Sequence, residues 1–231
     1  MLPSVIDIVE QCPLAFEEEP HELGEYSMSH YGESCDGTSK IARELGIKHP
    51  LLQDGGDKEP WMPTTDLLII FSIDGVCSLL AVADKPIADI QRRRTKQLLS
   101  LEREYWSRRG AEWLLLTPSE YDLRVSLTLS RSAPWVFSKF RATPVQKATC
   151  AEIVKAIEGA TWTQVLNEFE RAMLLPTLQA QCAFWQSVWS GVTPFDLRHG
   201  WRPSEPVRLL AQHEFDSLNP LLVRRSAWPK H

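Results

Sequence analysis

Asp66 and Lys85 bracket a stretch, TTDLLIIFSIDGVCSLLAVADKP (residues 64–86), whose other side chains are mostly apolar. A carboxylate and an ammonium kept in such surroundings suit two tasks. One is structural: an ion pair closing the end of a sheet. The other is phosphodiester hydrolysis. There, carboxylates hold one or two divalent cations, and the cation acidifies a bound water and neutralises charge on the transferring phosphate. A lysine, as a compact point charge, orients that water or stabilises the pentavalent phosphorus.

The elements that must position this pair are two strands and a turn. Asp74-Gly75 is a favoured two-residue hairpin loop. With those residues as the loop, Ile73 pairs with Val76 and Asp66 lies opposite Ala83. Opposite residues share a face, so Lys85, two residues on, points to the same side as Asp66, and Asp84 points away. A slip of one residue would separate the pair. The other face carries Leu67, Ile69, Phe71, Ile73, Val76, Leu80 and Val82 and reads as a core face. The Asp66 face is itself apolar at Leu68, Ile70, Leu79 and Ala81, so the sheet is expected to be covered on both sides.

Before the hairpin, residues 4–16 alternate as a strand ending at Pro13, and residues 17–36 read as acidic loop. A short helix is expected with its cap near Thr38 or Ser39 and its stop at Gly46. Residues 53–63 read as loop. From Pro86 to Arg109 the apolar residues Ile87, Ile90, Leu98, Leu101 and Tyr105 follow one helical stripe, ended by Gly110. AEWLLLT is a short interior strand. Residues 1–124 therefore read as one α/β domain and residues 125–145, with Ser130, Ser132, Pro134 and Pro144, as a linker. Residues 146–231 are expected to be an α+β domain. It would hold helices at about 146–158, 161–173 (capped by Thr161) and 176–190 (opened by Pro176). A short hairpin with a basic tip, RHGWRP, would follow, giving a winged-helix arrangement. Trp162, Phe169, Phe184, Trp185 and Trp189 fall at helical spacing and read as core.

The chain has 231 residues, is 43% hydrophobic and carries a net charge of −5. The charge is uneven: residues 1–84 hold four basic and 16 acidic side chains, residues 85–109 eight and three, residues 125–231 twelve and eight. Basic middle and C-terminal parts are compatible with a nucleic-acid partner. Five scattered cysteines without a C-x-x-C pair argue against a zinc site or a disulfide framework and fit reduced thiols in a cytoplasmic protein. No apolar run is long enough to span a bilayer, and no signal-peptide pattern opens the chain. Arg92, Arg93, Arg94 and Lys96 open the long helix, next to Lys85. They are candidate phosphate contacts, or else a solvated face. Arg198 and Arg202, on the basic tip, are the corresponding candidates further on. His21, His30, His49 and His213 form no metal-ligand spacing.

An acid on one strand and a lysine on the next is the skeleton of the PD-(D/E)xK nucleases. Five segments make the likeness more specific: SVIDIVEQCPL, IARELGIKHP, MPTTDLLI, AVADKP and LEREYW. In order and approximate spacing over residues 4–122, they resemble the TnsA family, the endonuclease subunits of heteromeric transposases. The resemblance implies a restriction-endonuclease-like N-terminal domain and a winged-helix C-terminal domain. It implies Mg²⁺-dependent (or Mn²⁺-dependent) cleavage of the 5′ strands at transposon ends. Its implied partners are DNA, a TnsB-like transposase and a TnsC-like ATPase regulator. The implied place of action is the bacterial cytoplasm, at the nucleoid.

Under this resemblance Asp66 is a metal-binding aspartate, Lys85 the catalytic lysine and Glu102 a second acid of the site. Read from the residues alone, Glu102 sits beside the helix's apolar stripe, one turn from Leu98 and Trp106. It is either a functional acid or a flank residue paired with Arg103 or Lys85. Two departures from the family pattern stand out. Ala83 occupies the place of the family's glutamine, and Asp84 could substitute only through a bulge. The family's glutamate lies on a helix upstream of the first segment, where this chain begins; Glu10, Glu17, Glu18 and Glu19 are the acids available to replace it. These departures leave a second expectation: a catalytically weakened scaffold that binds ends and recruits the other subunits. A repair nuclease of the same fold is a third.

Overall fold

The computed structural model describes residues 4–54, 57–200 and 202–229. They fall into two compact units: Tyr121–Arg224, and the preceding residues together with the tail from Arg225. The N-terminal unit carries β1 (Val5–Pro13), β2 (Glu19–Pro20), β3 (Ser34–Cys35), α1 (Thr38–Glu44), β4 (Leu51–Asp54) and β5 (Asp57–Pro60). It continues with β6 (Thr64–Ile73), β7 (Val76–Asp84), α2 (Ile87–Ile90), α3 (Arg93–Arg108) and β8 (Glu112–Leu116). The other unit carries α4 (Leu123–Val136), α5 (Pro144–Ala156), α6 (Trp162–Met173), α7 (Thr177–Trp189) and α8 (Gln212–Ser217). Among the described residues, no helix is long and apolar enough to cross a membrane.

The central sheet has the order β1-β6-β7-β8, antiparallel except for the parallel pairing of β7 with β8. This mixed α/β arrangement is compatible with a restriction-endonuclease-like fold. Asp74 and Gly75, at φ 50° and 81°, make the turn in the left-handed conformation such loops require. Ile73 pairs with Val76 and Leu67 with Val82, without a slip. On the Asp66 side, Leu68, Ile70, Leu79 and Ala81 pack with Leu101, Tyr105 and Trp106 of α3 and with Ile41 and Ala42 of α1. On the other side Ile69, Phe71, Leu80 and Val82 are also buried. Ile73 and Val76, assigned to the core by alternation, are exposed because they flank the turn. The chain's tail returns to β8: Ala227 N donates to Leu115 O (2.8 Å), and Trp228 meets Trp113 edge-on.

Several expectations about elements of the N-terminal unit need correction. Residues 53–63 are not all loop, since Leu51–Asp54 pairs with Asp57–Pro60; Gly55 and Gly56 lie outside the described residues. The helix from Pro86 is two helices, because Arg92 is extended (φ −73°, ψ 130°). The apolar stripe runs through this break because Ile90 and Leu99 reach the same cluster, with Ala83 and Leu115; periodicity reports burial, not backbone continuity. The cap of α1 is Gly37, and Thr38 instead bonds Ala15 O through its N–H (2.8 Å) and hydroxyl (3.0 Å). Residues 17–36, read as loop, are irregular apart from the β2–β3 pair and two 3-10 turns.

Gly37 leads to a stability prediction. A Cβ there would overlap the carbonyl oxygens of Phe16 and Glu17. Gly37→Ala is expected to cost about 1–3 kcal/mol, as overpacking against backbone does. Urea denaturation measures this, and an unchanged midpoint would contradict the close approach.

In the second unit, residues 125–136 of the expected linker are helix α4, which buries Val125, Thr128 and Ser132. Asp122 caps it by accepting from Arg124 N (2.8 Å). The turn that follows is pinned by buried Gln186, whose Oε1 accepts from Ala142 N and whose Nε2 donates to Phe140 O (both 2.8 Å). Helices α5 and α6 open with capping boxes at Thr143 and Thr161. Trp162, Phe169, Phe184 and Trp185 are core, while Trp189 is half-buried and donates to Ser132 Oγ (3.0 Å). The expected hairpin at 194–210 is not a strand ladder. It is closed by a bridge of Phe195 with Leu209 and by Asp196 N to Arg208 O (2.9 Å). Two prolines on its return side, Pro203 and Pro206, lack the N–H groups a ladder needs. Trp201 lies outside the described residues.

Candidate functional site: a carboxylate–lysine pair on the sheet

Asp66 and Lys85 meet on one side of the sheet, as alternation from the Asp74-Gly75 turn requires. Lys85 Nζ donates to Asp66 Oδ2 at 2.5 Å, and the backbone N–H of Asp84 donates to the same oxygen at 2.7 Å. Lys85 is held from behind, its own N–H bonding Leu116 O (3.0 Å). The pair is partly exposed, so it is accessible to solvent and to a ligand. The second carboxylate oxygen, Oδ1, has one partner among the described residues, Gln11 Nε2 at 3.3 Å. Gln11 comes from β1, where Glu10 pairs with Leu67 and Cys12 with Thr65, so it lies directly across from Asp66.

Glu102 projects from α3 and is only 6% exposed. Its Oε1 accepts from the Thr65 hydroxyl (2.8 Å), and Thr65 Oγ1 accepts from the Trp106 indole N–H (2.6 Å). Burial pushes the Glu102 carboxyl up to about 7, against the opposing pull of Thr65, of the Trp113 indole and of the Lys85 charge. Trp113 Nε1 is buried and has no partner at full hydrogen-bond geometry among the described residues, so its pull on Glu102 comes from somewhat longer range. Glu102 is thus no exposed flank residue paired with Arg103. The sequence did not mark its neighbours Thr65 and Trp113; the T-T-D triplet carried a signal for Thr65, but not its burial.

The raised value has a stability consequence. The folded carboxyl holds its proton to about pH 7, whereas an unfolded one releases it near 4.5. Between those values the native state binds more protons, so this group's contribution to stability falls as pH rises through the window. Glu102→Gln is expected to be more stable relative to wild type at pH 8 than at pH 5. Urea midpoints at the two pH values measure it; equal differences would show that Glu102 titrates normally.

The donor chemistry fits a hard divalent cation. Asp66 Oδ1 and the Glu102 carboxyl are oxygen donors, and a small cation such as Mg²⁺ takes one or two carboxylates and keeps several waters. Ala83 adds nothing, packed fully inside the cluster with Leu99 and Leu115. Asp84 does not replace it, because the ladder to β8 runs through Ala83 and Asp84 without a bulge and leaves the Asp84 side chain exposed. Glu10 is on the wrong face, paired with Leu67. Glu19 instead lines a cavity of about 660 Å³ floored by Val9, Leu68 and Ile70.

Arg92 caps α3 and pairs with Asp89 (3.1 Å), while Arg93, Arg94 and Lys96 stand exposed in its first turn. In the other unit, Arg198 is gripped through its Nε and Nη2 by the buried Asp196 carboxylate (2.8 and 2.9 Å). Arg202 pairs with Glu205 (3.1 Å). The described histidines do include one cluster: His21, His30 and Glu33 place a ligand atom each within 4.8 Å of one another. His21 is not available to a metal, because Nδ1 accepts from Leu23 N and Nε2 donates to Arg109 O (both 3.0 Å). All five cysteines are free thiols.

No family model matches the chain. It is similar to the Escherichia coli protein named transposon Tn7 transposition protein TnsA, 31% identical over 135 residues. That match covers 58% of this chain, which spans 39% of the length of that relative. This similarity supports a TnsA-family relationship over the matched part of the chain.

Proposed function

We infer that this chain is a DNA endonuclease subunit of a cut-and-paste transposition system, cutting the 5′, non-transferred strands at transposon ends. The observation that carries this reading is the partly exposed Asp66–Lys85 pair with buried Glu102 beside it. Asp66 and Glu102 would hold Mg²⁺, or Mn²⁺ in its place. When bound, such an ion supplies an acidified water and neutralises charge on the phosphate. Lys85 releases Asp66 Oδ2 to orient the attacking water or the phosphate oxygens. Glu102 would hold the ion as a carboxylate, its proton passing to solvent. Arg92, Arg93, Arg94 and Lys96 grip phosphates of the substrate strand. The C-terminal unit, read as winged-helix-like, offers Arg198 and Arg202, with Asp196 fixing the Arg198 fork. A TnsB-like transposase makes the complementary cuts, and a TnsC-like ATPase activates the assembly.

Ala83 favours a second reading: a weakened relative that binds ends and recruits the transposase and its regulator without cutting. The deciding experiment uses the full chain, a 5′-labelled end duplex and the partner transposase, with Mg²⁺, Mn²⁺ or EDTA. Metal-dependent nicks at the 5′ strand support the endonuclease. End binding without nicks in either metal would replace it with the scaffold. Nicking that needs no partner would point to repair instead.

A further inference from the structure

We propose that Gln11 is a third oxygen donor of the cation site, its amide turning over when a divalent cation settles on Asp66 Oδ1. This rests on the reading of Asp66 as a cation ligand. Three observations lead to it.

The first is the division of labour on Asp66. Oδ2 is taken by Lys85 Nζ and Asp84 N, so Oδ1 is the oxygen left to meet an arriving cation, and the group already at Oδ1 is the Gln11 amide. The second is backbone strain. Gln11 has φ 50°, a left-handed conformation that costs a side-chain-bearing residue about 1–2 kcal/mol. Asp74 shares that conformation because a turn demands it, but Gln11 lies within the β1 ladder, where no turn does. Strain of this kind, held by its surroundings, marks sites where a side chain must be aimed.

The third is the hydrogen bond on the far side. Thr64 Oγ1 donates to Gln11 Oε1 at 2.9 Å. A hydroxyl can donate or accept equally well. If the amide turns by half a revolution, Thr64 accepts from Nε2 and keeps its partner, and Oε1 faces Asp66 Oδ1. Without a cation, two oxygens facing each other repel, so the amide presents its N–H, as observed. With a cation between them the preference reverses. The turn gives up just the long hydrogen bond, 3.3 Å from Gln11 Nε2 to Asp66. The neutral amide thus restores from β1 an oxygen that Ala83 on β7 cannot offer.

The test titrates Mg²⁺ into the full chain by calorimetry, and follows the Gln11 side-chain amide by NMR with Mn²⁺ as a relaxation probe. Gln11→Gly removes the amide while relieving the left-handed strain, so its melting temperature should be equal or higher. Its Mg²⁺ affinity should fall about 10-fold, the scale typical of lost support at a metal site. Gln11→Glu should bind Mg²⁺ more tightly than wild type, and the wild-type Gln11 amide signal should broaden at low Mn²⁺. Asp66→Ala is the reference. Wild-type affinity in Gln11→Gly, with the site still lost in Asp66→Ala, overturns the role of Gln11 and leaves the nuclease reading intact. Wild-type affinity in Asp66→Ala overturns both.

Discussion

Strand cleavage is expected to fall at least about 10³-fold in Asp66→Ala, and about 10²–10³-fold in Lys85→Met, the range for removing one group that stabilises developing charge. In the proposed reading Asp66 is at once the cation ligand, through Oδ1, and the counter-charge that parks Lys85, through Oδ2. Its loss would deprive the site of that ligand and leave Lys85 without its restraint. Lys85→Met keeps length and apolar stem but removes the charge. Lys85→Arg restores charge as a wide planar fork, which does not reproduce a point charge 2.5 Å from the carboxylate, so it should recover only part of the rate. The pair is partly exposed, so its contribution to stability is small, about 1 kcal/mol or less. All three variants should therefore melt close to wild type, which separates loss of chemistry from loss of fold. The readout is single-turnover nicking of an end duplex in Mg²⁺ with partner transposase. Rates within a few-fold of wild type in Asp66→Ala would end the proposed role of this pair.

Trp106→Ala is expected to cost about 3–5 kcal/mol of folding stability, the range for truncating a buried aromatic. Trp106 has no exposed surface and joins α3 to Leu68 and Ile70 of β6. It also meets Tyr105 edge-on at 5.2 Å and donates to Thr65 Oγ1. Trp106→Phe separates the two contributions. It keeps most of the packing but leaves the Thr65 oxygen, which donates to Glu102, with an unfilled lone pair, a cost of about 1–3 kcal/mol. Urea denaturation of the two variants should therefore rank wild type above Phe above Ala. A loss below about 1 kcal/mol in Trp106→Ala would mean that α3 does not dock on the sheet through this residue.

The sequence of this chain determined its local geometry. Asp74-Gly75 sets the turn, the turn sets the register, and strict alternation then delivers Asp66 and Lys85 to one face, because a strand's side-chain period leaves no freedom once one pair is fixed. Thr161 and Pro176 mark helix starts because caps and proline act within a turn of the backbone. Gln11 was different: nothing near it in the chain names β6 as the neighbour of β1, so only the assembled sheet could set it against Asp66. The raised Glu102 carboxyl, the break at Arg92 and helix α4 behind its serines and proline were also decided in three dimensions. Desolvation and close packing depend on residues tens of positions away, and those meet only when the chain has folded.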